Sequence, residues 1–247
     1  MCPLFQALAL PDRGFVSLVG GGGKSTLLLR LAWERQARGL RTVVTTTTRI
    51  LRAQGEAAGP VAGDLSALEA ALARSLTACA ALPAPEPGKL APPPQALLDR
   101  ALELASLVVA EADGAHGRPV KAPAGQEPCL LPRSAAVVAV AGLSALGRPL
   151  AEACHRPELA ARLLGVPMDA LLTPEGLARL LTSEAGQFKG VGDPARFRVL
   201  LNQADGSEAL ALARETAAAV RALLPGVPVA AAALREPEPV KEVFFPC

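Results

Sequence analysis

The stretch that decides the fold is Val16-Ser-Leu-Val-Gly-Gly-Gly-Gly-Lys-Ser-Thr26. The apolar run Phe15–Val19 predicts a buried parallel strand, and the leucine-rich pattern that begins at Leu27 predicts a helix. Between them, four glycines allow the backbone to wrap so that successive N–H groups point inward, and the start of the helix adds a partial positive charge. Strand, glycine loop and helix N-terminus in this order are typical of a phosphate-binding loop.

The residues of this loop predict a nucleoside triphosphate bound with Mg²⁺. Lys24 would reach the β- and γ-phosphates, and the Ser25 hydroxyl would hold the metal. The full pattern G-x-x-x-x-G-K-[ST] requires glycine where Leu18 stands, so only the shorter G-x-x-G-K-S is present. That shorter loop resembles the phosphate loops of the Mur-ligase and folylpolyglutamate-synthetase families; the plain alternative is a glycine-rich turn with an incidental lysine. The candidate phosphate-binding residues are Gly20, Gly21, Gly22, Gly23, Lys24, Ser25 and Thr26.

The composition sets the broad class of protein. With 247 residues, of which 51% are hydrophobic, the chain can build a large core, and that core must be aliphatic because only 3% of residues are aromatic. A formal net charge of +2 predicts neither a nucleic-acid partner nor a membrane-surface partner. The first residues lack the pattern of a secretory signal, and the apolar runs are too short or too broken to cross a bilayer. We therefore expect a cytoplasmic protein with free thiols, at Cys2, Cys79, Cys129, Cys154 and Cys247.

A second strand is predicted over Arg41–Thr48, and it ends in four threonines. In an open α/β sheet, ligands bind at the carboxyl ends of the strands, so these hydroxyls would face the nucleotide. Thr46 and Thr47 are the candidate contacts. The equally good alternative is that a β-branched run simply makes a stable strand.

Acidic residues follow the next strong strand signal, Leu107–Ala110. A buried strand that ends in an acid delivers a carboxylate to the carboxyl edge of the sheet, as a ligand of Mg²⁺ or its water requires. Glu111 and Asp113 are both candidates because residues two apart on a strand face the same side. Gly114 would then approach the γ-phosphate with its amide.

The connection Ala115–Arg133 is polar and rich in proline and glycine, and long ordered loops are frequently functional. Arg118 and Lys121 are candidates for contacts with transition-state charge or a second substrate; the alternative is a solvated loop. Further along, His155 is a candidate ligand of substrate or metal, although a histidine before a helix is more commonly a capping or packing residue. The candidate substrate contacts are His116, Glu127, His155 and Arg156.

A late strand, Phe197–Leu201, runs into Asn202-Gln-Ala-Asp205. This resembles Asn-Lys-x-Asp, the base-reading element of GTPases, with Gln203 in place of lysine. A carboxylate at Asp205 can accept two hydrogen bonds from guanine, which adenine cannot offer. The alternative is an ordinary turn that caps the next helix, so both GTP and ATP remain candidates.

The remaining pattern predicts a three-layer α/β fold with a mainly parallel central sheet, of the P-loop NTPase-like kind. We expect a single domain over residues 1–247, with substrate-facing insertions in residues 115–192, an extended or looped Pro83–Pro94 and a proline-rich tail. Helices are predicted at Ser66–Ser75 (with Asp64 as N-cap), Pro94–Ala105, Glu158–Leu164, Pro174–Ser183 and Ser207–Leu223, and further strands at Cys79–Leu82, Ala135–Ala141 and Val227–Ala233.

Several motifs in order also resemble one family. They are Gly-Gly-Gly-Gly-Lys-Ser-Thr, the Thr45–Thr48 run, Glu111-Ala-Asp-Gly-Ala-His-Gly-Arg-Pro-Val-Lys-Ala-Pro123, Glu127-Pro, His155-Arg-Pro and Asn202-Gln-Ala-Asp. Together they resemble the YqeC family of selenium-dependent molybdenum hydroxylase accessory proteins, from about Phe15 to Asp205. The resemblance implies a nucleotide-binding protein that helps to mature a molybdenum hydroxylase, and thus that enzyme or its cofactor-maturation machinery as partner.

The resulting hypothesis is Mg²⁺-dependent hydrolysis of GTP or ATP, by positioning and charge stabilisation. Three alternatives stay open: a nucleotide-dependent chaperone or scaffold without turnover, a small-molecule kinase, and a ligase of the Mur type, which shares the short loop but whose additional domains 247 residues leave no room for. The candidate catalytic residues are Lys24, Asp113, Glu111, Arg118 and Lys121, and the candidate Mg²⁺ ligands are Ser25, Asp113 and Glu111.

Overall fold

A computed structural model describes residues 3–245. The strands, in chain order, are β1 (Gly14–Gly20), β2 (Thr42–Thr46), β3 (Ile50–Leu51), β4 (Val61–Ala62), β5 (Thr77–Ala80), β6 (Leu82–Pro83), β7 (Lys89–Ala91), β8 (Leu107–Glu111), β9 (Val120–Lys121), β10 (Ser134–Gly142), β11 (Cys154–His155), β12 (Phe197–Asn202), β13 (Val229–Ala232) and β14 (Val240–Phe244). The helices are α1 (Leu4–Ala7), α2 (Lys24–Ala37), α3 (Arg52–Ala58), α4 (Leu65–Ser75), α5 (Gln95–Leu104), α6 (Leu150–Ala153), α7 (Pro157–Leu164), α8 (Pro174–Thr182) and α9 (Ser207–Leu223).

The central sheet has nine strands in the order β14-β13-β12-β10-β1-β8-β2-β5-β4. Every neighbouring pair is parallel except β13 and β14, which are antiparallel. The glycine-loop strand β1 lies in the middle, where Leu18 pairs with Glu111 of β8 and Gly20 pairs with Val140 of β10. The carboxyl ends of these three strands therefore meet at one edge of the sheet, directly beside the glycine loop.

Helices cover both faces of this sheet, because its inner strands are apolar on both sides. On one face, Val16 and Leu18 of β1 pack with Leu27 and Leu31 of α2. On the other face, one cluster joins β10, β12 and β13 to α7, α8 and α9, and a second joins β2 and β8 to α4 and α5. The predicted three-layer α/β fold of the P-loop NTPase-like kind is confirmed.

Most of the predicted elements are present, and the Asp64 cap is confirmed, since its Oδ1 accepts a hydrogen bond from the Ala67 amide at 2.8 Å. The strand predicted over Arg41–Thr48 is shorter, because the chain leaves the sheet after Thr46. The strand predicted over Cys79–Leu82 is divided between β5 and β6.

Short strands were missed in the proline-rich regions. The stretch predicted as looped or extended, Pro83–Pro94, contributes β7 to a small sheet of order β3-β7-β6, and the tail forms β14. The connection after β8 contributes β9, which pairs with β11. The ends of the chain that carry Cys2 and Cys247 lie outside the described residues. Within residues 3–245, no helix has both the length and the apolar composition needed to cross a bilayer.

Candidate functional site

The glycine loop joins β1 to α2 within four residues and packs tightly against its neighbours. Gly20 has φ +95° and Gly22 has φ +70°, in the region that favours glycine. A Cβ atom at Gly20 would lie 2.3 Å from the Val140 carbonyl oxygen, and one at Gly22 would lie 2.4 Å from the Gly142 nitrogen. Only glycine can place this backbone so close to β10, and that contact sets where α2 begins.

Three amides of the loop are already used inside the protein. Gly20 N donates to Asp113 Oδ2 at 3.1 Å, Gly21 N to the Val140 carbonyl at 2.9 Å and Gly22 N to the Arg118 carbonyl at 3.1 Å. The expectation that all four glycine amides face a phosphate is therefore corrected. The amides of Gly23–Thr26, at the start of α2, donate to no acceptor within residues 3–245 and lie at the cleft. These four are the available anion donors.

Lys24 is buried and is one of the residues that line the same cleft. Its ammonium lies 3.0 Å from Asp113 Oδ1 and 3.9 Å from Glu111 Oε1, and donates to the Gly20 carbonyl at 2.5 Å. Oδ1 of Asp113 has this ion pair but no aligned hydrogen bond. Lys24 is thus held at the base of the loop by fixed negative charge.

The two candidate carboxylates after β8 have different surroundings. Glu111 lines the cleft, and its Oε2 accepts a hydrogen bond from Ser25 Oγ at 2.7 Å. Burial raises the pKa of Glu111 above its usual value, although Lys24 and the Ser25 hydroxyl act in the opposite direction. Asp113 is fully buried behind Lys24. The structure brings Ser25 and Glu111 together as a hydroxyl–carboxylate pair and places Asp113 away from the cleft surface.

The pair suits Mg²⁺ in its chemistry. Mg²⁺ prefers oxygen ligands and is commonly held by one or two carboxylates together with the phosphates of a substrate. In the described part of the chain, no group of three His, Cys, Asp or Glu side chains is placed to hold a metal by itself. Any Mg²⁺ at Ser25 and Glu111 would therefore complete its ligands with water and phosphate oxygen.

Lys121 takes part in a buried chain of ion pairs instead of facing the cleft. Its ammonium lies 3.3 Å from Asp113 Oδ2 and 2.9 Å from Glu127 Oε2, and donates to the Gly114 carbonyl at 2.6 Å. Its side chain is 0% exposed. The expected role of Lys121 in a direct contact with transition-state charge does not fit this placement. The reason is that Lys121 is absent from the described residues that line the cleft, and Asp113, Glu127 and Gly114 enclose its ammonium.

Glu127 extends this series of ion pairs from the buried Lys121 to the partly exposed Arg156. Its carboxylate receives hydrogen bonds from Arg156, Lys121 and the Ala124 amide. Burial alone would raise the pKa of Glu127, but the hydrogen bonds from Arg156 and Lys121 outweigh it and lower that pKa to about 2. Glu127 and Arg156 thus form an ion pair with each other. This placement favours a structural role for both residues over the predicted contact with substrate.

His116 and His155 stack on each other, with ring centroids 4.5 Å apart. Burial lowers the pKa of His155, and the charge of Arg156 and the His116 ring lower it further. Nε2 of His155 is buried and has no hydrogen-bond partner among the described residues. Of the two, His116 lines the cleft, together with Gly114 and the exposed Arg118, whose guanidinium donates to the Glu152 carbonyl.

The threonines at the end of β2 form hydrogen bonds with the backbone of Glu111. Thr46 Oγ1 donates to the Glu111 carbonyl at 3.2 Å and accepts a hydrogen bond from the Thr48 amide, and the Thr47 amide donates to the same carbonyl. Among the described residues that line the cleft, Thr46 and Thr47 are absent. The predicted direct contact of these two threonines with nucleotide does not fit this placement, because both bind the backbone at the end of β8 and do not line the cleft.

The Asn202–Asp205 segment does reach the cleft, at the side of β12. Asn202 Nδ2 donates to the Gly22 carbonyl at 2.6 Å, and its Oδ1 accepts from the Leu234 amide at 3.0 Å. Asn202 therefore fastens the glycine loop to β12. Asp205 is exposed and lines the cleft, so its carboxylate is open to a ligand.

The cleft has a volume of about 1220 Å³ and runs along the carboxyl edge of the sheet from the β12 side to the β3 side. On the β3 side it is lined by residues that the sequence patterns did not indicate: Arg49, Leu51, Gln54 and Lys89. Gln54 Nε2 donates to Ser25 Oγ at 2.9 Å, which ties α3 to the start of α2. No local motif marks this glutamine, because the contact joins two separate helices.

The comparison with known proteins agrees with the motifs. The family described as "YqeC protein" matches residues 16–158, which include the glycine loop, both carboxylates after β8 and the connection to His155. A curated relative from Escherichia coli (strain K12), named "Uncharacterized protein YqeC", is 32% identical over 185 residues, which cover 73% of this chain and 72% of the relative. The chain belongs to the YqeC family.

Proposed function

We propose that this protein binds a nucleoside triphosphate with Mg²⁺ in the cleft and hydrolyses it. The observation that carries the proposal is the set of free amides of Gly23–Thr26 at the start of a 14-residue helix whose first residue, Lys24, is held at the base of the loop by Asp113. A helix N-terminus with a fixed cation is suited to bind polyphosphate.

In this proposal, different residues of the cleft bind the phosphates, maintain the shape of the loop and hold the metal. The amides of Gly23–Thr26 and the ammonium of Lys24 bind the phosphates, and the backbone contacts of Gly20–Gly22 hold the loop in shape. Ser25 and Glu111 hold Mg²⁺, which supplies charge neutralisation at the phosphate oxygens when it is bound. Gly114 and His116 line the same cleft as Glu111, which supports a contact of these residues with the terminal phosphate in this proposal.

In the hydrolysis, water attacks the γ-phosphorus and the bond to the β,γ-bridging oxygen breaks, giving a nucleoside diphosphate and inorganic phosphate. The protein contributes orientation and fixed positive charge, which are the main requirements of phosphoryl transfer. In this proposal Asp205 reads the base; its exposed carboxylate at the cleft supports that role and favours guanine over adenine.

The cellular role that we propose rests on the resemblance of the motifs and not on the geometry. The resemblance to selenium-dependent molybdenum hydroxylase accessory proteins supports a role in maturation of such an enzyme or of its cofactor. In that role, the hydrolysis would drive a step carried out together with the client enzyme.

The test is a panel of ATP, GTP, CTP and UTP, with and without Mg²⁺, in which binding and phosphate release are measured. We expect Mg²⁺-dependent release that falls at least about tenfold in Ser25→Ala, from loss of an oxygen ligand and a hydrogen bond. Ser66→Ala is the matched control, because Ser66 is the second residue of α4 as Ser25 is the second residue of α2. Tight binding without release would favour the chaperone or scaffold, and absence of binding by every nucleotide would overturn the proposal.

A further inference from the structure

The cleft extends past the phosphate loop to a wall that the proposed nucleotide site does not use. We call this surface the β3–β7 wall; it consists of Arg49, Leu51, Gln54 and Lys89. Gln54 fixes it against the start of α2 through its hydrogen bond to Ser25. The wall is therefore adjacent to the Ser25–Glu111 pair and on the opposite side of the loop from Asp205.

The small sheet that carries this wall has one buried face and one open face. Ile50 pairs with Leu90, and Leu51 pairs with Lys89. Residues directly opposite in an antiparallel pair share a face. Ile50 and Leu90 are buried in the core, whereas Leu51 is 55% exposed and lines the cleft together with Lys89. The open face thus presents an apolar side chain next to a cation.

The charge of this wall is positive. Lys89 is exposed, and no carboxylate of the described residues forms an ion pair with it. Arg49 pairs with Glu86 at 2.6 Å, but both side chains are exposed, at 56% and 40%, and such a pair contributes only about 0–1 kcal/mol. A bound anion can therefore replace Glu86 at little cost.

The opposite wall differs in charge. It presents the exposed carboxylates of Asp205 and Glu208, with Arg235 as its cation. Carboxylates suit the amino and imino groups of a base and disfavour a second anion. The cleft therefore has a polar side suited to a base and a basic side suited to an anion, with the phosphate loop between them.

The size of the cleft leaves space for two ligands. Pockets for one small ligand commonly measure roughly 300–1,000 Å³. The volume here, about 1220 Å³, exceeds that range. A nucleotide that lies from the loop towards Asp205 leaves the β3–β7 wall open to solvent.

We propose that the β3–β7 wall binds a second ligand, a small molecule that carries a phosphate or carboxylate group on an apolar or ring-shaped body. Arg49 and Lys89 contact its anionic group, and Leu51 packs against its body. The proposal deepens the proposed function and rests on it for the position of the nucleotide. It also replaces Lys121, whose side chain is buried, as a cation for the second ligand.

The test is a titration of phenyl phosphate, as a probe with an anion and a ring, into the full chain saturated with Mg²⁺ and a non-hydrolysable nucleotide. We expect one bound equivalent, and a dissociation constant that rises at least about tenfold in Arg49→Ala/Lys89→Ala, from loss of charge-assisted contacts. Arg41→Ala is the matched control. Arg41 is an exposed arginine just before the amino end of β2, away from the carboxyl edge that carries the cleft, so this variant should bind as the original protein does. Benzyl alcohol, which has the ring without the charge, should not bind.

Absence of a bound equivalent, or an affinity unchanged in Arg49→Ala/Lys89→Ala, would overturn the inference. Nucleotide binding alone in that experiment would leave the proposed function intact. A parallel titration of phenyl phosphate into Lys24→Ala without nucleotide separates the two claims. Phenyl phosphate binding that still depends on Arg49 and Lys89 in this variant supports the wall. If the original protein binds none of the nucleotides, the proposed function is contradicted while that support for the wall remains.

Discussion

Lys24 and Lys121 both contact Asp113, yet they belong to regions that are built in different ways. Lys24 stands in a run of consecutive residues, where β1, the glycines and α2 determine its place through the local backbone. Lys121 stands in the connection after β8, and its other partner, Glu127, is in turn held by Arg156 from the start of α7. Both lysines are buried, but Lys24 is one of the residues that line the cleft, whereas Lys121 is absent from that lining among the described residues.

The difference indicates that two lysines bound to the same carboxylate, Asp113, have different roles. Both ammonium groups have two carboxylates and a carbonyl as partners, but Lys24 and its partner Glu111 line the cleft, where a phosphate can replace that carboxylate. Lys121 and its partner Glu127 are absent from the described residues that line the cleft, and this lysine instead stabilises the path of the chain. We expect mutations of the two lysines to separate ligand binding from folding.

The largest expected effect on stability comes from Lys121→Met. This change leaves Asp113 and Glu127 without a shared buried cation, and breaking a buried ion pair costs about 3–5 kcal/mol. Chemical denaturation at neutral pH should show that loss. Lys189→Met is the matched control, since within residues 3–245 Lys189 donates to two carbonyls, those of Ala124 and Gly125, and has no carboxylate partner, so its removal should cost about 1 kcal/mol. Equal losses in the two variants would contradict the structural role of Lys121.

Lys24→Ala should act mainly on ligand binding. Removal of a charge-assisted contact to phosphate, worth about 3 kcal/mol, predicts a loss of roughly 100-fold in nucleotide affinity, measured by calorimetry. Stability should fall less than in Lys121→Met, because the second carboxylate that loses its partner here, Glu111, lines the cleft and keeps its hydrogen bond from Ser25. Unchanged nucleotide affinity would remove the distinction between the two lysines.

Glu111→Gln tests whether Glu111 or Asp113 is the carboxylate that binds Mg²⁺. Because Glu111 and not Asp113 lines the cleft beside Ser25, the change should lower Mg²⁺ affinity and phosphate release by about 10–100-fold. The measurement is the Mg²⁺ concentration that gives half-maximal release. Glu69→Gln, at an exposed position of α4, is the control. An unaltered Mg²⁺ dependence would count against the assignment.

The smallest effect is a pH dependence at Glu127. Its pKa is lowered from 4.5 to about 2 in the folded protein, so the ionised form is the one that folding favours. Its contribution to stability is therefore complete above the unfolded value, near pH 4.5, and is lost as the pH falls towards 2. Glu127→Gln should be less stable than the original protein at pH 7, and the gap in the free energy of unfolding should narrow below pH 4.5. A gap that stays constant with pH would show that the carboxylate charge is not what stabilises this region.

The sequence predicted the sheet and the loop well, for physical reasons that particular residues show. Apolar runs such as Leu107–Ala110 have few ways to be buried except as inner strands, and the loop's conformation depends on glycines that are consecutive in the chain. The edge strands were harder. β14 and β7 lie in proline-rich stretches without alternation, and they form because a neighbouring strand offers hydrogen bonds.

The side-chain contacts of the site were predictable only in part. The sequence indicated that Ser25 and the acids after β8 would meet, because strand ends converge beside the loop. It could not distinguish Glu111 from Asp113, since that depends on how Lys24 and Lys121 surround the second carboxylate. Gln54 and Lys89 were missed because nothing in their own neighbourhoods marks them, and they reach the cleft through the small sheet and α3.

The central claim is that the free amides at the start of α2 bind nucleotide phosphate, and amide NMR spectroscopy tests it most directly. On titration with Mg²⁺ and GTP or ATP, the amides of Gly23–Thr26 should shift and become protected from hydrogen exchange. The amides of Gly20–Gly22, whose hydrogen bonds are already made within the protein, should keep their protection. Binding that leaves the amides of Gly23–Thr26 unprotected, or no response to either nucleotide, would contradict the claim.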